Sequence, residues 1–211
     1  MPGDISRDTF DPRKRYSGVR MQQGRVQLDS DWNEQESIGR HQLRALIADI
    51  LGPHCGFRGA FQISPIKPRD VIVDLEILPG HYYVDGILCE NPGTPNQDGT
   101  VLPMTFSAQP DFPLNPKKDT LPETPFLVYL DVWERDITSI EDPDLREVAL
   151  GGPDTTTRVK VIWQVRTETF SKGAGRVEKR YNLSCDAAEQ MPGQFASVGS
   201  CGLRVRIKND Q

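Results

Sequence analysis

One early segment has apolar residues at helical spacing, and this pattern predicts an α-helix. The apolar positions of its second half share one face: Leu43, Leu46, Ile47, Ile50 and Leu51. Trp32 lies eleven residues before Leu43, which places it on the same face. Gly52 and Pro53 end the pattern. The sequence therefore predicts a helix over about residues 30–51.

The residues before this pattern contain a helix-start signal. Asp31 is followed three residues later by Glu34, a spacing that resembles a capping box with Asp in place of Ser or Thr. We therefore expect the helix to begin near Ser30, with Gly39 as a weak point inside it.

After the helix the apolar period changes from about 3.6 to 2, which predicts strands. The segment "DVIVDLEIL" (70–78) alternates apolar and acidic residues. The next one, "HYYVDGILCEN" (81–91), carries Asp85-Gly86 between β-prone residues, which is a strong hairpin signal. Residues 70–90 therefore read as a three-strand meander.

Two longer apolar runs follow a proline-rich segment. The run "FLVYLDVWERDIT" (126–138) is the most apolar strand candidate, and "RVKVIWQVRTETF" (158–170) is its expected partner. Residues 107–125 contain five prolines and predict a surface crossing. The segment "CGLRVRIK" (201–208) predicts a last short strand.

These elements predict a mainly β fold. We expect an antiparallel β-sandwich or open barrel with an extended N-terminal arm and one N-terminal α-helix. The expected division is 1–52, arm plus helix for assembly or docking, and 53–211, a β domain with the proline-rich crossing at 107–125.

Composition narrows the function classes. Seventeen prolines and eighteen glycines in 211 residues break the chain into short elements. The net charge of −5 without a long basic patch argues against nucleic-acid binding. No run reaches the roughly 20 apolar residues of a membrane span. The N-terminus has no apolar core of a signal peptide, so we expect cytoplasmic synthesis and assembly.

The titratable and aromatic residues offer weak alternatives. The segment after the apolar strand holds six carboxylates that could serve a hydrolase or bind calcium, or could form a solvated loop: Glu134, Asp136, Glu141, Asp142, Asp144 and Glu147. Four aromatic residues could form a sugar-binding platform or belong to the core: Tyr82, Tyr83, Trp133 and Trp163.

The cysteines and histidines do not form a usual metal pattern. Four small buried cysteine side chains are expected: Cys55, Cys89, Cys185 and Cys201. Their spacing with His54 and His81 matches no usual zinc ligand set. We therefore expect no enzyme activity, no catalytic residues, no cofactor and no metal.

The stretch "YSGVRMQQGRVQLDSDWNEQ" (16–35) is rich in glutamine and poor in aliphatic residues. Amide side chains both donate and accept hydrogen bonds, and Met and Trp fill partner pockets. The candidate partner-interface residues are Tyr16, Met21, Gln22, Gln23, Arg25, Gln27, Trp32, Asn33 and Gln35. The alternative is an arm folded back on its own domain.

Several long segments together resemble an uncharacterised bacterial domain family found with phage-tail-like contractile injection systems. More loosely, they resemble the N-terminal domains of phage baseplate and tail-fibre proteins. The shared features are a Gln23-Gly24-Arg25 arm, an Asn33-Glu34 helix start and a Tyr83–Gly86 hairpin.

The resemblance implies a structural component of a contractile tail-like particle, at the baseplate or spike, acting as an adaptor or fibre-anchor domain. It implies other particle subunits as partners and a homo-oligomeric state. The alternatives are a carbohydrate- or cell-surface-binding β module and, third, a cell-wall polymer hydrolase.

Overall fold

The computed structural model describes residues 5, 7–111, 113–115, 119–122 and 126–169. These residues form one α-helix and ten β-strands, so the fold is mainly β as predicted. The helix α1 spans Asp29–Leu51. The strands are β1 (His54–Gly56), β2 (Ile63–Ile66), β3 (Asp74–Ile77), β4 (Gly80–Val84), β5 (Ile87–Asn91), β6 (Thr94–Pro95), β7 (Val101–Leu102), β8 (Met104–Thr105), β9 (Phe126–Ile137) and β10 (Arg158–Thr169).

The strands form four small antiparallel sheets, which do not close into a barrel. Their orders are β1-β4-β5, β2-β3-β8, β6-β7 and β10-β9. The predicted pairing of the two long strands, β9 and β10, is confirmed. The predicted last strand at 201–208, together with Cys185 and Cys201, lies outside the described residues.

The hairpin predicted at Asp85-Gly86 is confirmed, but the three-strand meander is wrong. Asp85 and Gly86 both have positive φ, 47° and 75°, as a tight two-residue hairpin turn requires. The strand β3, in contrast, pairs with β2 and β8 in a different sheet. The reason is its partner β2, where Pro65 hides an edge strand from a pattern-based prediction.

The chain divides into two compact units. Unit 1 lies within Met1–Gly52 and Glu134–Lys160, and unit 2 lies within Pro53–Trp133 and Val161–Gln211. The two long strands β9 and β10 contribute residues to both units.

Unit 2 contains a continuous hydrophobic core. Alternate residues of β9 and residues of β3, β4 and β10 are almost fully buried in it, as are Phe61 and Cys89. The rings of Phe61 and Trp163 meet edge to face at 4.9 Å, and Trp163 Nε1 donates to the Glu90 carbonyl at 2.8 Å. The indole N–H of the buried Trp163 side chain therefore has a hydrogen-bond acceptor.

A buried amide completes this core. Gln109 Oε1 accepts from the backbone N–H of Val165 at 2.6 Å, and Gln109 Nε2 donates to the Val165 carbonyl at 2.9 Å. One side chain thus replaces a neighbouring strand at this residue of β10. Because buried backbone groups must be paired, Gln109 satisfies groups that would otherwise be costly.

Helix α1 begins without the predicted capping box. It starts at Asp29 and its N-cap is Leu28, which has no side chain that can cap. Glu34 bonds Thr9 instead of the helix start. Asp29 and Asp31 lie in the first turn, where their charges favour the positive end of the helix dipole.

Candidate interaction surface

The arm, residues 7–28, contacts the first half of α1. Thr9 Oγ1 donates to Glu34 Oε2 at 2.5 Å, and the backbone N–H of Val19 donates to Gln35 Oε1 at 2.7 Å. The rings of Phe10 and His41 lie 5.6 Å apart. The arm therefore follows the helix, and Gln35, a predicted interface residue, is engaged within the chain.

The start of the arm is held by a local turn. Asp11 caps the short helix Pro12–Lys14, and its carboxylate accepts from Arg13 Nε and Nη2, both at 3.0 Å. These hydrogen bonds lower the pKa of Asp11 and raise the pKa of Arg13. The Arg13 side chain is exposed and Asp11 is half-buried, and no residue of this turn is fully buried, so the turn orders the arm without forming a core.

All nine predicted interface residues lie at the surface of the chain. Three of them are large hydrophobic residues: Tyr16 is 57% exposed, Met21 48% and Trp32 73%. Next to them Gly24 adopts a φ of 72° in a turn in which the Arg25 N–H donates to the Gln22 carbonyl. Exposure leaves these residues available to a partner.

The apolar face of α1, which the sequence showed as a pattern, is turned to solvent. Leu43, Leu46 and Ile50 are 57%, 56% and 70% exposed. Trp32 lies on the same face, and we call these four residues the α1 stripe. Only Ser30 and Ile38 of the helix are buried. The interface residues predicted from the sequence include Trp32 but not Leu43, Leu46 and Ile50. The helical spacing of these three residues was the signal that could have identified them.

Two ion pairs connect α1 to Glu134 of β9 within unit 1. Arg44 Nη2 lies 2.5 Å from Glu134 Oε1, and Arg40 Nη1 lies 3.9 Å from the same oxygen. The side chains of all three residues are between 25% and 30% exposed. One carboxylate thus pairs with both arginines of α1.

A second exposed apolar group lies in the loop between β9 and β10. Ile140, Val148 and Leu150 are 72%, 87% and 64% exposed. The loop is nonetheless ordered, because Ser139 Oγ donates to Asp154 Oδ2 and the Glu147 N–H donates to the Pro153 carbonyl. No sequence pattern predicts this apolar group, since its residues follow neither a helical nor a strand period.

The candidate carboxylates of 134–147 mostly serve local structure. Glu141 pairs with Arg135 at 2.7 Å, as Glu134 does with the helix arginines. Asp142 and Glu147 cap two short helical turns by accepting backbone N–H groups. Four of the six candidate carboxylates thus have structural partners, and the segment has the form of a capped surface loop.

The aromatic platform is divided between core and surface. Tyr82 and Trp163 are buried, at 7% and 5% exposure, whereas Tyr83 and Trp133 are half-buried. Tyr82 also bonds His54 Nδ1 at 3.0 Å. Two of the four rings are therefore closed to a sugar.

The cysteine and histidine candidates are separated. Cys89 is buried and Cys55 is half-buried. His81 faces Glu90 across β4 and β5 at 3.4 Å. Within the described part of the chain, no three His, Cys, Asp or Glu side chains are grouped to hold a metal ion. In the same residues, no helix has the length and apolar character needed to cross a bilayer.

Comparison of the full sequence with known proteins identifies a family. No curated protein and no solved structure matches the chain. A family model matches residues 1–192, which include the arm, α1 and all ten described strands. The chain therefore belongs to DUF6519, a family of unknown function.

Proposed function

We propose that this protein is a structural component of a phage-tail-like contractile injection system. It acts as an adaptor or fibre-anchor domain near the baseplate or spike. Its arm and α1 carry the contacts to other subunits of the particle, and its β-sheets form the supporting scaffold. Homo-oligomers are part of the same proposal.

One observation supports the assembly role: the described residues of unit 1 form almost no core of their own. Among the described residues, unit 1 supplies two of the twenty buried hydrophobic residues, Ile38 and Ile137. It supplies fourteen of the twenty exposed large hydrophobic ones: Ile5, Tyr16, Met21, Val26, Leu28, Trp32, Leu43, Leu46, Ile50, Leu51, Ile140, Val148, Leu150 and Val159. This concentration of exposed apolar residues in unit 1 supports a role in binding a partner.

The conformational entropy of unit 1 also favours a role in assembly. Ordering a residue costs about 1–2 kcal/mol of backbone entropy, which a protein normally offsets by burying apolar side chains. Unit 1 offsets little of this cost alone, so a bound partner would supply the missing burial. Arms and helices of this kind gain order when they bind a large surface.

The other two functions have less support. Burial of Tyr82 and Trp163 weighs against a sugar platform built from the four aromatic residues. The ion pairs and caps made by Glu134, Glu141 and Glu147 weigh against paired catalytic carboxylates.

The test is purification of the tagged full-length protein from its native cell, followed by negative-stain electron microscopy. The expected result is sheathed tubes with the tag at one end. A soluble protein with no particle would contradict the proposal.

Deletion of residues 1–28 sharpens the test. The truncated protein should keep the folded β unit, because the contacts of the arm given above are to α1. It should also lose its place in the particle. Normal occupancy of the truncated protein would show that the arm does not carry assembly, and retained circular dichroism controls for folding.

A further inference from the structure

The arm and the loop between β9 and β10 carry equal and opposite net charge. The arm, residues 7–28, holds six basic residues and two acidic ones, which gives a net charge of +4. The β9–β10 loop, residues 138–157, holds five acidic residues and one basic one, which gives −4. Both segments belong to unit 1, and the whole chain has a net charge of −5. The arm is therefore a positive segment on a negative protein.

The positive charge of the arm is largely unpaired. Its last acidic residue is Asp11, which pairs with Arg13. Arg15, Arg20 and Arg25 are exposed, and within the described part of the chain their side chains form no ion pair or hydrogen bond. Residues 12–28 thus carry charge of one sign, which attracts an acidic surface.

The negative charge of the β9–β10 loop is also available to a partner. Asp144 is exposed, and its side chain forms no ion pair or hydrogen bond with the other described residues. Asp142 and Glu147 accept hydrogen bonds from backbone N–H groups of their own loop, and these neutral donors leave both carboxylates charged. Glu141 pairs with Arg135. Most of the acidic charge of the loop therefore has no basic partner in the described residues.

Exposed apolar side chains lie among the charges of both segments. The exposed large apolar residues of the arm are Tyr16, Met21, Val26 and Leu28. Those of the loop are Ile140, Val148 and Leu150. A specific interface combines an apolar centre with complementary charge. The two segments together supply both components.

A second copy of the chain fits these two segments better than a nucleic acid or an anionic membrane does. Among the described residues, no hydrogen bond or ion pair joins the arm to the loop of its own chain, and the contacts of the arm given above are to α1. A nucleic acid or a membrane could neutralise the arm but would leave the acidic loop unpaired. A second copy, in contrast, brings one arm for each loop.

We propose that the arm of one copy binds the β9–β10 loop of another copy. Every copy has one arm and one loop, so these contacts either close reciprocally in a dimer or continue in series around a ring. This deepens the proposed function by assigning the contact that joins its homo-oligomers, and it rests on that function only for homo-oligomerisation. The test uses purified protein without particles, so the two proposals can fail separately.

The test is sedimentation equilibrium of the purified full-length protein at concentrations up to about 100 μM. The protein should associate at about 0.05 M salt, where exposed charges interact over longer distances. The dissociation constant should rise about tenfold or more at about 0.5 M salt, because the charges of arm and loop are then screened.

Charge reversal on each side identifies the two surfaces. The arm variant changes the net charge of the arm to −2 and combines Arg15→Glu, Arg20→Glu and Arg25→Glu. The loop variant changes the net charge of the loop to +2 and combines Glu141→Lys, Asp144→Lys and Glu147→Lys. Each variant alone should associate about tenfold more weakly or worse, because like charges then face each other. An equimolar mixture should restore association, because the reversed arm matches the reversed loop.

Two controls separate this contact from other causes. A unit 2 variant makes the same change in net charge as the arm variant, at three exposed residues: Arg58→Glu, Lys67→Glu and Arg69→Glu. It should weaken association much less than the arm variant, because charges outside the contact are screened by salt. Leu46→Gln in the α1 stripe should leave association unchanged. Circular dichroism of every variant checks folding.

Four results would overturn the proposal. A wild-type protein that stays monomeric at about 0.05 M salt would show that no second copy binds, and an oligonucleotide bound by its arm would then be the occupant. Association that the arm variant abolishes and the loop variant does not would place the partner surface outside the loop. Association that Leu46→Gln abolishes would place the contact on the α1 stripe. A mixture of the two folded variants that does not associate would show that arm and loop do not meet.

Discussion

Helix α1 and strand β9 both carry large apolar residues but use them in opposite ways. In β9, Val128, Leu130 and Val132 are at most 1% exposed and join the core of unit 2. In α1, Leu43, Leu46 and Ile50 are all more than half exposed. The same residue types thus stabilise the fold in one element and remain available for binding in the other.

The largest expected effect is a difference between two matched leucine truncations. Leu130→Ala should lower the free energy of unfolding by about 2–5 kcal/mol, because it leaves a cavity in a buried site. Leu46→Ala should change it by less than about 0.5 kcal/mol, because the side chain is exposed. Urea unfolding measures both, and equal losses would contradict the contrast between the two elements.

The next effect concerns the polar part of the unit 2 core. Gln109→Ala should cost about 1–3 kcal/mol, because it leaves the N–H and C=O of Val165 unpaired and buried. Gln42→Ala on the exposed side of α1 is the matched control and should be near neutral. Thermal unfolding monitored by circular dichroism compares them. A neutral Gln109→Ala would mean that water replaces the amide.

A smaller effect should be confined to unit 1. Glu134→Gln removes the carboxylate shared by Arg40 and Arg44 and should cost about 0.5–1 kcal/mol, given the partial exposure of all three groups. The loss should shrink at high salt, because screening already weakens the pair. Hydrogen exchange of α1 amides at two salt concentrations measures it, and a salt-independent loss would point to packing instead.

Trp32 and Trp163 differ widely in exposure, so a soluble quencher should affect their fluorescence differently. Trp32→Phe should remove most of the fluorescence that acrylamide quenches, since Trp32 is 73% exposed. Trp163→Phe should leave that quenched fraction almost unchanged, since Trp163 is 5% exposed. Stern–Volmer plots of the two variants decide between these results, and identical plots would rule out the assigned exposures.

The smallest effect is a local pH dependence in the arm. Hydrogen bonds from Arg13 lower the pKa of Asp11 below its ordinary value of 3.8. A lowered pKa means that the turn is fully stabilised above pH 3.8 and loses that stabilisation as the pH falls through the lowered value. NMR titration should show the Asp11 pKa rising toward 3.8 in Arg13→Ala, with no change in the core of unit 2.

Short-range sequence patterns predicted much of the fold. Helical spacing gave α1 to within one residue at its start, and Asp85-Gly86 gave the β4–β5 hairpin. The pairing of β3 was not predictable from the sequence. Its partner β2 contains Pro65, which argues against a strand in a pattern-based prediction, so the sheet that contains β3 was missed. Long-range pairing depends on contacts that no short segment encodes.

The surface was harder to predict than the fold. An apolar helix face looks the same in the sequence whether it enters a core or meets solvent, so Leu43 and Leu46 gave no sign of their exposure. The bond from Val19 to Gln35 was equally hidden, because a glutamine amide can pair within its chain or with a partner.

Hydrogen exchange of the free full-length protein, read by mass spectrometry, tests the contrast between the two units most directly. The α1 amides should exchange at least about 100-fold faster than the amides of residues 126–132 in β9, because local opening needs less free energy where few apolar contacts are broken. Equal protection of α1 and β9 in the free protein would show that unit 1 is as stable as unit 2 and would contradict its dependence on a partner.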